Sequence, residues 1–348
     1  MPGSLPPPAK AGSAFPPTST TALKKWSDSS KLYLKSFAEP SDLIGVEAVA
    51  TDINAISTGH RLWLADDSRG KRAEVLDATL NDLDFRPGPW DRAMFDRSTM
   101  IEANFSGCSL VGASFNQTHM ERCSLTGADL SESTLIDARL DFAVGTGLML
   151  CDAKLMRVSF KDAKLDQVRL LDAVFEDADF SRVSMKGAAM NHARAARAIF
   201  SDAMADKTIW LNVRMPNARF VSASLIDANF VGAHAQSSDF TKADLSMAIF
   251  TRAKLNRAIF YQALASGVDF READLEGADF SKARLVESRF LAANLSGVDF
   301  RGANLEGARD MSAEQLARAR TDDRTTLPNG KKGPYMRFSG AERPVRVV

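Results

Sequence analysis

Disulfides, membrane spans, export signals and catalytic fingerprints are all missing from this chain. Only three cysteines occur among its 348 residues, too few for a disulfide framework, and a reducing, cytoplasmic home is the simple expectation. No apolar run is long enough for a transmembrane helix, and the amino terminus lacks a charged-then-apolar export signal, so a non-classical route is the one left for any secretion. Net charge is zero, with 44 basic against 44 acidic residues, and the charges read as a solvated surface. The four histidines, His60, His119, His192 and His234, have no metal-ligand spacing. No nucleophile elbow, P-loop or dinucleotide fingerprint is found. The expectation is a non-enzyme with no cofactor, no metal and no catalytic residues.

What is present is a period. From Leu80 to Leu305 every position divisible by five is a repeat centre, and 41 of the 46 centres are Leu, Phe, Met or Trp. Two residues before each centre stands a small residue, usually Ala. A helix needs apolar spacing near 3.6 and a strand needs 2, so neither fits a long run of fives. A chain that turns a corner in each repeat does fit. With right-angled corners, four repeats close a coil and residue n stacks on n+20. Fixed-period self-similarity of this kind marks a solenoid. Centres 20 apart do resemble each other: Phe160, Phe180, Phe200, Phe220, Phe240, Phe260, Phe280 and Phe300 form one core column, and Phe230, Phe250, Phe270 and Phe290 lie on the opposite face.

ADLEG (273–277), ADFSK (278–282), ANLSG (293–297) and ANLEG (303–307) resemble the consensus of the pentapeptide-repeat proteins of bacterial type, A-(D/N)-(L/F)-X-X. The resemblance covers about two-thirds of the chain. It implies an all-β solenoid, a right-handed quadrilateral parallel β-helix, with a hand that matches the general preference of parallel crossovers. Eleven to twelve coils would span on the order of 55 Å.

Five centres are small: Gly145, Ala195, Ala205, Ala235 and Ala265. FAVGTGLML (142–150) reads as a local bulge, because Gly145 replaces a core residue and Leu148 takes an alanine position. Trp210 is expected to fill space left by Ala195 and Ala205. Pro87, Gly88 and Pro89 predict an irregular first coil. Cys108 and Cys123 fall at inward positions and read as core residues, with Cys151 outside. Asp residues just before a centre, such as Asp274 and Asp279, read as backbone hydrogen-bonding scaffold at the corners rather than as catalytic groups.

The ends do not repeat. Residues 1–22 read as a flexible Pro-rich tail. Residues 23–71 read as a small α-helical unit that docks on or caps the first coil. Its first helix (23–37) carries Trp26, Leu34 and Phe37 as a candidate partner-docking face. A second helix follows Ser41, with a stripe of Val46, Val49, Ile53 and Ile56, and stops at Gly59; RLWLA (61–65) is expected to be a strand. The β-helix is assigned to 72–309. Residues 310–348 supply a capping helix over 311–320, with Ser312 and Gln315 as a capping box and Met311, Leu316 and Ala319 facing the last coil; the remainder is expected to be loosely ordered.

Functionally, the pattern points to a protein–protein interaction scaffold or adaptor. One alternative, implied by the family resemblance, is a DNA mimic that binds and protects DNA gyrase or topoisomerase IV. DNA is densely anionic, so 30 acidic against 27 basic residues within 81–309 disfavour it, and no direct nucleic-acid binding is expected. The other is a bacterial effector or secretion-system accessory protein.

Overall fold

The computed structural model describes residues 53–86 and 88–344. These belong to one compact unit, Val49–Val348; a second, Met1–Ala48, lies outside the described residues, as do the tail and the docking face at Trp26, Leu34 and Phe37.

Every repeat folds the same way. The residue before each centre forms a parallel bridge with its equivalent twenty residues on, in a ladder that runs unbroken from Glu74↔Met94 to Arg289↔Arg309. Four such ladders make a right-handed, four-sided parallel β-helix. Between centres the chain turns through two residues, the second of which has φ near +60°, as the third position of a type II turn requires.

The backbone accounting explains why five residues suffice. In each repeat the centre N–H donates to the next coil, as Phe105 does to Ser124 O at 2.8 Å. The N–H at the positive-φ position does the same, as Gly107 does to Thr126 O at 2.9 Å. The residue before the centre donates to the previous coil, as Asn104 does to Leu83 O at 2.9 Å. The small residue closes the turn, as Cys108 N–H does on Phe105 O at 3.0 Å. In many repeats the fifth N–H, just after the centre, is met by a side chain in one of two ways. An Asp or Asn two residues earlier accepts it, as Asn104 Oδ1 does from Ser106 at 3.1 Å; or an Asp or Asn one coil back does, as Asp91 Oδ1 does from Val111 at 2.9 Å. The ladder and turn bonds thus pair most backbone donors along the coils.

Centres and small residues are buried as one continuous core. The eight phenylalanines from Phe160 to Phe300 stack along one face, at 4.4–5.6 Å between centroids. Across the core they meet the opposite column edge-on, as Phe240 meets Phe250 at 5.8 Å and 85°. Trp210 heads that opposite column, stacked on Phe230 at 5.4 Å. Its Nε1–H donates to Thr208 Oγ1 at 2.7 Å, which is why a threonine replaces the usual alanine there.

Three sequence expectations about the coils fail here. There is no bulge at Gly145: the ladder stays in register through Val144↔Lys164 and Met149↔Arg169. Leu148 fills the space instead, with its Cδ2 3.2 Å from where a Gly145 Cβ would stand. At Pro89 the ladder also stays in register, bridged to Ser109, while Pro87 lies outside the described residues. Gly88 is needed because Trp90 Nε1 lies 2.2 Å from where its Cβ would be, donating to Phe85 O at 2.8 Å. Third, the carboxyl-terminal segment is not loose. After helix α2 (Ala313–Arg318), Arg320 bridges Asp299, Thr326 bridges Asn304, and Thr325 and Leu327 are buried.

At the ends, α2 carries the Ser312/Gln315 capping box. Met311 and Leu316 are buried, and Ala319 packs partly buried against the core. At the other end, α1 (Ile53–Ala65) runs through Gly59 and takes in the RLWLA segment, which is helix and not strand. Ile53, Ile56, His60 and Trp63 follow a helical period and face the first coil. His60 is fully buried between Trp63 and Trp90, and it locks α1 in place. Its Nε2 bonds Asp91 O at 3.1 Å and its Nδ1 accepts from Ala73 N–H at 3.1 Å, which fixes the neutral ring as the Nε2–H tautomer.

Candidate interaction surfaces

Because the core takes two residues of each five, the other three are displayed on the sides. Many polar groups there serve the scaffold. Asp239 Oδ1 accepts from Thr241 N–H at 2.9 Å and Asp279 Oδ1 from Ser281 N–H at 2.8 Å, so these carboxylates are corner fasteners. The corner columns pair as dyads: Asp137–Arg157, Asp162–Arg182 and Asp177–Arg197, each at 2.6 Å. The arginines hold those three carboxyls below the usual carboxylate range. The pairs are largely exposed, so they contribute little stability.

The histidines sit apart. His60 is in the amino-terminal cap, His119 lies 3.4 Å from Glu121, His192 is on an exposed corner, and His234 is on a face. No group of three or more His, Cys, Asp or Glu could hold a metal among the described residues. Cys108 and Cys123 are buried, and burial raises both thiol pKa values; Cys151 is half-buried. No described helix is long and apolar enough to cross a membrane.

The surface departs from the repeat pattern where apolar side chains occupy outward positions. Met204, Ile209, Met247, Ile249 and Leu264 fall on two adjacent faces and the corner between them, in coils stacked within about three turns, and Met247 is 60% exposed. Met247 Sδ lies 2.6 Å from where a Gly267 Cβ would stand, so the thioether covers that glycine. With Ile249, Asp269, Glu287, Arg289 and Arg309 it lines an open groove of about 320 Å³. At the cap, Trp63 is flanked by Arg92 at 4.8 Å and Arg72 at 5.8 Å. Sequence reasoning singled out none of these residues. The signal was there: once the register is fixed, each apolar residue outside the centre and small positions stands out.

Residues 233–309 match a family model described as a pentapeptide repeat region, and 103–141, 123–162 and 159–194 match one described as pentapeptide repeats (8 copies). No curated protein matches significantly. Among solved structures, HetL from the cyanobacterium Nostoc sp. strain PCC 7120 is a pentapeptide repeat protein involved in heterocyst differentiation regulation. It is 19% identical, with 77% of this chain and 97% of its own covered and a TM-score of 0.30. Rfr23 from the cyanobacterium Cyanothece 51142 is 16% identical, covering 44% and 98%, with a TM-score of 0.15. QnrB1, a plasmid-mediated fluoroquinolone resistance protein, is 15% identical, covering 69% and 84%, with a TM-score of 0.22. Scores this low leave the assignment resting on the repeat sequence and its twenty-residue coil, and on those grounds the chain belongs to the pentapeptide-repeat proteins.

Proposed function

We propose that this chain is a non-enzymatic scaffold that holds partner proteins against the sides of its coils, with the amino-terminal residues 23–71 as a docking and capping unit. The observation that carries the reading is the exposed apolar group at Met204, Ile209, Met247, Ile249 and Leu264, on outward positions that the fold does not need filled with apolar residues. Apolar side chains clustered on a soluble surface mark interaction sites, and the fold supplies a stiff backbone beneath them. An open groove flanked by Arg289 and Arg309 suits contact with another macromolecule better than enclosure of a small substrate.

Duplex mimicry would need a continuous acidic stripe. Alternating Asp and Arg in the corner dyads speaks against one, and gyrase supercoiling is expected to be unchanged when the protein is added.

The test is affinity capture from host lysate with three forms: the full chain, a chain beginning at Asp52 that keeps α1, and full-length Met247→Glu/Leu264→Glu. A partner retained by the full chain and lost by the double variant supports docking on the sides. A partner lost only on shortening places docking on the amino-terminal residues. Capture of nothing specific by any form, or turnover of a substrate that maps to one side chain, would refute the scaffold reading.

A further inference from the structure

One face of the solenoid is cationic over four coils. Arg194, Arg214, His234 and Lys254 occupy equivalent positions and bridge one another in succession. The segments that build this face and its corners, 191–197, 211–217, 231–237 and 251–257, contain no Asp or Glu. They do contain Arg197, Arg252 and Arg257 besides the ladder residues, and those arginines are exposed, as are Arg194, Arg214 and Lys254. On a chain of zero net charge this is a local excess of one sign.

Both borders are acidic. Arg194 reaches back to Glu176 at 2.8 Å and Arg197 to Asp177 at 2.6 Å; Arg252 reaches forward to Glu272 at 2.8 Å. Those carboxylates neutralise the margins and leave the centre: Arg214, Lys254 and Arg257 form no salt bridge among the described residues. His234, between Arg214 and Lys254, has its pKa lowered by burial first and then by Lys254 and Arg214, so it stays neutral at pH 7 and adds hydrogen-bonding capacity rather than charge. Asn212, Asn217, Gln236 and Asn256 line the same face with neutral polar groups.

We infer that this face binds a short acidic segment of a partner protein, an inference that rests on the scaffold reading and supplies the chemistry of one partner. Length decides between polyanions. At ~4.8 Å per coil, Arg194 and Lys254 are about 14 Å apart. An extended peptide places same-side residues about 6.8 Å apart, so three alternate carboxylates cover that distance. A nucleic acid carries charge at a fixed density and continues past both ends. It would run over Glu176 and Asp177 on one side and Asp274 and Glu276 on the other. The face also offers no exposed aromatic ring on which single-stranded bases could stack.

The test uses the full chain and a fluorescein-labelled (Glu-Ser)5 peptide, followed by anisotropy at low and high salt. Binding is expected at low salt, lost at high salt. Arg214→Glu/Lys254→Glu is expected to weaken it at least about tenfold, and Lys186→Glu/Lys242→Glu, on other faces, to leave it nearly unchanged. Circular dichroism confirms that both variants keep the coil. No peptide binding, equal weakening by the two charge reversals, or tighter binding of a ten-base-pair duplex than of the peptide would overturn the inference. The scaffold reading fails separately: if Arg214→Glu/Lys254→Glu still retains the lysate partner while the peptide does not bind, the scaffold stands and this face is not its acidic-segment site.

Discussion

Phe240→Ala is the most exacting test of the fold. Phe240 is fully buried, stacked on Phe220 at 4.9 Å and Phe260 at 5.0 Å, both within 4° of parallel. Phe230 and Phe250 meet it edge-on at 6.1 and 5.8 Å. Truncating a buried Phe costs about 3–5 kcal/mol, more where the site cannot collapse. Here it cannot: Phe240 N–H is tied to Ile259 O at 2.7 Å and Phe220 N–H to Asp239 O at 2.6 Å, so the ladder props the cavity open. The loss should therefore lie near the top of the range, at about 5 kcal/mol. Phe240→Asp, which adds an unpaired buried charge, should prevent folding altogether.

The adjacent residue supplies the control. Asp239 Oδ1 accepts one hydrogen bond, from Thr241 N–H, and an asparagine oxygen accepts it equally well. Asp239→Asn should change stability by less than about 0.5 kcal/mol, and Asp239→Ala should cost about 1 kcal/mol for the lost bond. Urea titrations followed by far-UV circular dichroism should order the midpoints as wild type and Asp239→Asn, then Asp239→Ala, then Phe240→Ala well below. A Phe240→Ala midpoint near wild type, or an Asp239→Asn loss as large as that of Phe240→Ala, would refute the assignment of inward and outward positions.

Three further outcomes are expected. Burial lowers the His60 pKa from 6.5, so the unfolded chain takes up the proton first; stability is full above pH 6.5 and declines as pH falls below it, and thermal melts of His60→Gln should lose that part of the decline relative to wild type. Thr208→Val should cost about 1–3 kcal/mol in urea titrations, because the buried Trp210 N–H loses its acceptor. Gly145→Leu should clash with Leu148 and Leu165, and Leu148→Ala should open a cavity worth about 2–4 kcal/mol, yet the double variant restores the ordinary pattern and should recover most of the loss, a coupling of more than about 1 kcal/mol.

The solenoid was legible because its determinants are local and repeated: residue n and residue n+20 show the same type, and the core column needed no further information. What escaped depends on contacts between segments. The RLWLA segment alternates like a strand, and His60 interrupts the apolar helix face that would have identified it as helix. His60 suits that face only because Ala73 N–H and Asp91 O satisfy its ring, the latter thirty-one residues away. Leu148 compensates for Gly145 across one corner, which a strict five-residue register reads as two errors. The carboxyl-terminal coil was hidden by α2, whose insertion moves the bridges from n+20 to Asp299↔Arg320 and Asn304↔Thr326. The docking candidates at Trp26, Leu34 and Phe37 lie outside the described residues, whereas the exposed apolar group at Met204–Leu264 was visible in the sequence as departures from the register.

Those departures are where the physics leaves room for function. Four of the five backbone N–H groups in a typical repeat are satisfied by backbone, whatever the side chains, and in many repeats the fifth is met by an Asp or Asn that can stand in either of two places. The second residue of the turn has positive φ, where a side chain costs roughly 1 kcal/mol that glycine would not. Gly107, Gly127 and Gly277 show that glycine serves there, yet Asp137, Arg157, Arg197, Met247, Arg252 and Arg257 occupy equivalent sites. Some of that cost is offset by the ion pairs between Asp137 and Arg157 and between Arg197 and Asp177. Met247 and Arg257 have no such compensation among the described residues, and each projects from a strained corner beside one of the two surfaces assigned to partners. Met247→Gly and Arg257→Gly should therefore raise stability while weakening partner retention and peptide binding respectively, an opposition that a purely structural role for these side chains would not produce.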